Sequence, residues 1–193
     1  MFGGDLTKWK QFANTVKMRI LIRQSGMADR GTYIQEQFDA IAAEGSGFIS
    51  ADASVNPGYK QEEGKQNPLW QAFGEEVSGT VTLNNDATCA SDFVLDFLTA
   101  SSDPRIDYLF EEPDAGHKGT PQGVTVGEDF NADNVSNIGP GILKGPDQDA
   151  IIISAAESHF LQSEAALHGF IPGGESVAKA HYCLLYTSPS PRD

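Results

Sequence analysis

The chain has 193 residues and carries 27 acidic side chains against 13 Lys and Arg, for a formal net charge of −14 at pH 7. Such a surface repels polyphosphate, so no nucleic-acid partner is expected. No apolar run approaches the ~20 residues that span a bilayer, and Cys89 is the single cysteine ahead of the last eleven residues, which excludes an intrachain disulfide or a cysteine metal cluster there.

The first predicted helix lies in GDLTKWKQFANTVKMRILIRQSG, residues 4–26. Leu6, Trp9, Phe12, Ala13, Val16 and Ile20 recur at spacings of three and four and form its expected buried stripe, with Asp5 as cap and Gly26 as stop. Its other face carries Lys8, Lys10, Lys17, Arg19 and Arg23, which in so acidic a chain are expected to pair with neighbouring carboxylates. A second helix is announced by Thr32 and Gln35 at the spacing of a capping box. Ile34, Phe38, Ile41 and Ala42 face inward on it and Gly45 ends it, and the short turn between the two helices predicts antiparallel packing.

Periodicity disappears over residues 46–85, where Gly, Pro, Asn and Ser are punctuated by Tyr59, Trp70 and Phe73. A loop this long is usually functional or disordered, and the aromatics favour order. GTVTL, residues 79–83, predicts one short strand. Cys89, Phe93, Val94, Phe97 and Leu98 define a third helix, ended by Asp103 before Pro104. After a second irregular stretch at residues 111–149, SAAESHFLQSEAALHG opens another helix with a Ser154/Glu157 capping box. Ala156, Phe160, Leu161, Ala165 and Leu167 lie on one of its sides, Gly169 ends it, and a further helix begins near Glu175. Helix, short turn, helix with small residues at the contact is the unit of a helical repeat.

Motifs for covalent chemistry are missing. There is no G-x-S-x-G, and His117, His159, His168 and His181 show no metal-ligand spacing. His159 and His168 fit the surface of a helix, and His117 is a loop residue with no visible partner. Residues 139–145, GPGILKG, lack the Gly-Lys-Ser/Thr element of a phosphate loop and predict a turn. Glu157 and Glu164 share a helix side but lie two turns apart and solvated, without the burial that tunes an acid and a base. Asp129, Asn131 and Asp133 alternate as calcium ligands do, yet Asn134 stands where an EF-hand needs Gly and Pro140 where it needs a bidentate Glu. Local side-chain turns account for them, and no cofactor is expected. The remaining candidates are Asn56-Pro57-Gly58-Tyr59 and Asn67-Pro68-Leu69-Trp70. Rigid turns that present a ring beside amides suit sugars or peptides, which makes Asn56, Tyr59, Asn67 and Trp70 the candidate ligand-binding residues. The same rings could instead plug the core beneath a long loop.

Three segments carry a family resemblance. GGDLTKWKQFANTVKMRILIR resembles the W-x-K-F-A-N-x-L-x-x-R helix of SusD/RagB-like outer-membrane nutrient-binding lipoproteins. NPGY followed by NPLW resembles the loop after it, and ISAAESHFLQSEAALHGFIPGG resembles the family's T-x-A-E-x-x-F-L-x-A-E-A-x-x-R-G segment, with His168 where Arg is common. The resemblance implies a mostly α fold of tetratricopeptide-like helix pairs with long irregular loops and at most one small β element. It also implies a non-enzymatic protein, lipid-anchored at the cell surface of the outer membrane, that captures an oligosaccharide or peptide for a SusC-like TonB-dependent transporter. The lipid-bearing cysteine and a signal peptide are not visible in residues 1–10, as in an internal piece of a longer protein. A helical-repeat scaffold that binds only protein is the competing expectation.

The last eleven residues, CLLYTSPSPRD, resemble one reading frame of a transposon-end sequencing adapter. The expected organisation is therefore a partial SusD-like domain over residues 1–182 and a non-native tail over 183–193, which cuts the last helix in mid-turn.

Overall fold

The computed structural model of the chain describes residues 1–125 and 130–187, with side chains through Leu184. In chain order the described residues form α1 (Leu6–Ile22), α2 (Gly31–Glu44), β1 (Ala53–Val55), α3 (Pro68–Phe73), α4 (Leu83–Asp86), α5 (Asp92–Ala100), α6 (Ile106–Leu109), β2 (Ala150–Ile153), α7 (Ala155–Leu167) and α8 (Gly174–Thr187). β1 and β2 pair in a two-stranded sheet. Two compact units result, one of Met1–Val55 with Ile151 onward, the other of Asn56–Ala150. No helix among the described residues is long and apolar enough to cross a membrane.

In the first unit the helix ends follow their caps. The Asp5 carboxylate accepts from the amides of Thr7 and Lys8 at 2.9 and 3.2 Å, and Gly45 closes α2 in the left-handed region at φ 84°. The Thr32/Gln35 box does not form: Arg30 is the cap residue, Thr32 lies inside the first turn, and the Gln35 amide donates to Asp39 at 2.9 Å. At α7, Ser154 Oγ accepts from the Glu157 amide at 3.1 Å. The Glu157 carboxylate turns instead to Arg19, whose Nη2 donates to Oε2 at 3.1 Å while Nε lies 2.8 Å from Oε1. Lys10 pairs with Glu44 at 2.7 Å, so two of the five cations on α1 find the carboxylates expected of them.

On α2 the predicted face is buried through Ile34, Phe38 and Ile41, with Ala42 exposed, but α1 and α7 are turned away from the stripes the periodicity predicts. α1 buries Thr15, Met18, Leu21 and Ile22, whereas Leu6, Trp9, Ala13 and Ile20 are exposed and Phe12 and Val16 half-buried. α7 buries Ala155, Ser158, Gln162, Ala165 and Ala166 and leaves Phe160 and Leu167 exposed. Hydroxyls explain the rotation. Thr15 Oγ1 donates to Gln11 O at 2.8 Å and accepts from the Ile49 amide at 3.1 Å, while Ser158 Oγ donates to Ile49 O at 2.8 Å. Both side chains are fully buried, because their bonds to backbone remove the cost of desolvation. The core joins Met18, Leu21 and Ile22 of α1 to Ile34 and Phe38 of α2 and Ala165 of α7, and the Phe170 ring stacks on Phe38 with centroids 5.5 Å apart. A second cluster of Ile49, Ala53 and Ile153 underlies the sheet.

The strand predicted at residues 79–83 is a turn. Gly79, at φ 84°, donates to Glu76 O at 2.9 Å, one antiparallel bridge links Glu75 and Val81, and Thr82 Oγ1 then caps α4. The ladder forms instead at β1 and the β-branched run of β2, which lie far apart in sequence and carry no alternation for a local reading to detect. In the second unit α5 starts at its Ser91 cap but buries Leu95 and Leu98, leaving Phe93 and Phe97 at 83% and 63% exposure.

α7 and α8 form the most extensive helix pair. Small residues on α7 let α8 approach: Ser163 Oγ donates to Ala178 O at 2.9 Å, and Ala178 is buried. α8 continues past residue 182, yet Cys183 and Leu184 are exposed. His159 and His181, which the sequence leaves unpaired, stack with ring centroids 5.6 Å apart and Nδ1 atoms at 3.3 Å, one ring donating to the other.

Two expectations follow for this unit. Met18→Ala should lower the unfolding free energy by about 2–5 kcal/mol, and Ile20→Ser, two residues away on the same helix, should change it by less than about 0.5 kcal/mol. Urea unfolding that ranks the two the other way would place the buried face on the predicted stripe. The second concerns pH. Burial first, and the charge of His159 second, push the His181 imidazole below the ordinary value of 6.5. The unfolded chain takes up a proton on His181 near pH 6.5 that this imidazole resists in the folded chain. Stability is therefore complete above that pH and falls as pH drops through it toward the lower folded value. His181→Gln should flatten the Tm profile between pH 7 and 5, and an unchanged slope would show that the pair does not govern it.

Candidate functional site

The second unit contains a cleft of about 210 Å3 beside Trp70. Its position is set by local chemistry. Asn67 caps α3, its Oδ1 accepting from the amides of Leu69 and Trp70 at 2.8 and 3.2 Å, and Pro68 occupies the first turn, where no donor is lost. Gly74 ends α3, and its backbone lies close against the indole: a Cβ there would come within 2.6 Å of Trp70 Cδ2. The ring is thus held from behind by a residue that cannot carry a side chain without displacing it.

Asn85, Glu111, Asp133, Asn137 and Leu143 complete most of the cleft wall, and Glu75 and Asp86 add further negative charge. Asn137 is 8% exposed. Its Nδ2 donates to Ala132 O at 3.1 Å, which fixes the amide, while its Oδ1 is buried with no protein partner. Trp70 Nε1 is likewise buried and unpartnered. A donor and an acceptor both shielded from water and both unsatisfied are uncommon in a folded chain. Beside an aromatic ring and several carboxylate acceptors, they suit a ligand that offers hydroxyls in both roles.

Of the four residues singled out in the sequence, only Trp70 lines this cleft. The Asn67 amide is engaged as a cap and, through Nδ2, with Gln148 O at 3.0 Å, and the residue is buried. Asn56 Oδ1 accepts from the amides of Gly58 and Tyr59 at 2.9 and 2.8 Å, and its Nδ2 donates to Asp147 O and Asp149 Oδ1, both at 2.9 Å. Tyr59 is half-buried beside that turn. Both asparagines therefore order loops. Trp70 and Phe73 stand on a short helix where the sequence predicted loop.

Asp129 of the calcium-like run lies outside the described residues. Asn131 Oδ1 accepts from the Asp133 amide at 3.1 Å, and Asn134 Oδ1 from the Asn131 amide at 3.0 Å, which are the local side-chain turns expected. Residues 139–145 begin with the predicted turn, Gly139 O accepting from the amides of Ile142 and Leu143. His117 departs from expectation, with Ser136 and Asp107 as partners. Asn137 was missed because an isolated Asn in a Gly-rich stretch has no periodic or motif signal. Contacts with residues distant in sequence, an antiparallel bridge to Cys89 and the Glu111 amide donating to its carbonyl, seat it in the cleft wall.

The family model for SusD-like proteins, described as starch-binding and associating with the outer membrane, matches residues 1–184. Among solved structures, the chain is similar to a SusD homologue from Bacteroides uniformis, with 24% identity and a TM-score of 0.66 over 95% of this chain and 37% of that one. A chitin-binding SusD homologue from Flavobacterium johnsoniae gives 19% identity and a TM-score of 0.63 over 93% of this chain and 35% of that one. The chain thus spans little more than a third of the length of either structure. It is also 26% identical over 140 residues to the 1,3-beta-glucan synthase component bgs3 of Schizosaccharomyces pombe, a match that takes in 72% of this chain but 7% of that protein and establishes no shared activity. A family match across nearly the whole chain, together with the mostly helical fold it has in common with both SusD homologues, establishes that this chain belongs to the SusD-like family.

Proposed function

We propose that this chain is part of a cell-surface protein that captures an oligosaccharide and passes it to a SusC-like TonB-dependent transporter in the outer membrane, with no catalytic step. The family is one of starch-binding, outer-membrane-associated proteins, and glycan or nutrient binding is its general role. The observation that carries the reading to this chain is the cleft beside Trp70, where an indole N–H and the Asn137 carbonyl are buried without partners. Specific ligand pockets usually measure roughly 300–1,000 Å3, so a cleft of about 210 Å3 would take one ring of a larger sugar and leave the remainder outside. A peptide is the second ligand class. Glu75, Asp86, Glu111 and Asp133 would favour a basic one.

Residues 1–182 would form a portion of the binding domain, with residues 183–193 a non-native tail. Lipid anchoring would lie in the longer polypeptide.

Glycan-array and calorimetric binding by the full-length gene product tests the proposal. Trp70→Ala should weaken oligosaccharide binding at least roughly tenfold, equivalent to about 1.4 kcal/mol. Asn56→Ala should leave affinity unchanged, because its amide is engaged by Asp147 and Asp149. Equal losses in the two variants would remove the cleft as the site. Binding to the transporter alone, with neither sugars nor peptides retained, would replace capture by a protein-only scaffold.

A further inference from the structure

We propose that Asp107, Glu112 and His117 form a binding site for one divalent transition-metal ion, zinc foremost. One carboxylate oxygen from each acid and one imidazole nitrogen lie within 4.8 Å of one another, on the second unit. His117 Nε2 stands 3.0 Å from Asp107 Oδ1, and Nδ1 stands 3.2 Å from Ser136 Oγ. Ser136 is fully buried and its hydroxyl oxygen also accepts from the Lys118 amide at 3.2 Å, so the hydroxyl is fixed in place. Without metal, Nε2–H donates to Asp107 and Nδ1 accepts from the Ser136 hydroxyl; an ion that takes the place of the Nε2 proton would leave Nδ1–H donating to that oxygen and the Nε2 lone pair directed at the metal between the two carboxylates. Metal-binding histidines are oriented in this way, by a hydrogen bond on the nitrogen that does not ligate.

The donor set selects the ion. Imidazole suits zinc and its first-row neighbours, whereas calcium and magnesium prefer oxygen alone. Zinc–nitrogen and zinc–oxygen bonds of about 2.0–2.2 Å place tetrahedral donors roughly 3.4 Å apart. The His117–Asp107 pair is already near that separation, and Glu112, which is exposed, needs only a rotamer adjustment. Asp107 is also exposed, which leaves the remaining position open to water.

The backbone beneath is rigid. The segment after Ser136 binds both ligand-bearing strands of chain: Ser136 N donates to Lys118 O at 2.8 Å, Glu111 N to Asn137 O at 3.0 Å, and Gly139 N to Leu109 O and Gly141 N to Tyr108 O, each at 2.8 Å. A Cβ on Gly139 would lie 2.5 Å from Phe110 N and one on Gly141 2.7 Å from Tyr108 O, so glycine alone permits the approach. The backbone that carries the three donors is thus ordered before any ion arrives, which leaves the Glu112 side chain as the main element that binding must order.

Zinc titration of the metal-free chain, followed by calorimetry and thermal melting, tests the assignment. One zinc per chain and a rise in Tm are expected. Glu112→Gln, a change at an exposed side chain, should weaken binding at least roughly tenfold with the circular dichroism unchanged, and His117→Ala should abolish it. The double variant His159→Gln/His181→Gln should bind zinc as the parent does, since that imidazole pair belongs to the first unit. No saturable zinc binding, binding indifferent to both Glu112→Gln and His117→Ala, loss in the His159/His181 variant, or preference for calcium over zinc would each overturn the proposal.

Discussion

Long stretches of irregular backbone can be buried in this chain only where every peptide group finds a partner. Ile49 shows the constraint at its simplest. Its amide and carbonyl are outside any helix or strand, and both are satisfied by hydroxyls from Thr15 of α1 and Ser158 of α7. The residue is therefore buried between two helices, and the faces those helices turn inward are fixed with it. The second unit meets the same requirement through residues 136–141, whose backbone binds the segments at 108–111 and 118, and through Asn67 and Asn85, which reach the backbone carbonyls of Gln148 and Phe73. Buried polar side chains thus do for this loop-rich chain what a ladder of strands does for a sheet protein.

That constraint separates what could be read in the sequence from what could not. Helix ends are local, and Asp5, Gly45 and Ser154 mark them as expected. Helix faces are set by partners elsewhere in the chain. Hydropathy assigns Leu6, Trp9 and Ile20 to the interior, but the hydroxyl of Thr15 has two backbone partners and turns in, whereas Leu6 and Ile20 stay exposed and Trp9, in edge contact with Phe2 and Phe12, remains partly so. Phe93 and Phe97 on α5 repeat the pattern, outward while Leu95 and Leu98 turn in. The pairing of β1 with β2 was equally hidden, because nearly a hundred residues separate the strands and neither alternates.

The candidate cleft was half legible. Of the Asn-Pro motifs the first marks a turn and the second the start of α3, and in both the local order is imposed by the asparagine itself. An amide whose oxygen caps a helix and whose nitrogen holds a distant carbonyl has nothing left for a ligand. The neighbouring ring is then the free element, and the amide that faces the cleft beside it comes from Asn137, far along the chain. A motif can thus lead to a cleft while its asparagine orders the backbone and its ring lines the wall.

Charge narrows the ligand further. With a net charge of −14 over the chain and four carboxylates lining a small cleft, an anionic ligand would meet repulsion both at a distance and on contact. A neutral sugar meets none, and carboxylates are strong acceptors for its hydroxyls. Such bonds lose less than ion pairs do when salt rises, because they do not depend on attraction between opposite charges. Affinity that persists at high ionic strength accords with neutral sugar capture, whereas a basic peptide held by the same carboxylates would be released.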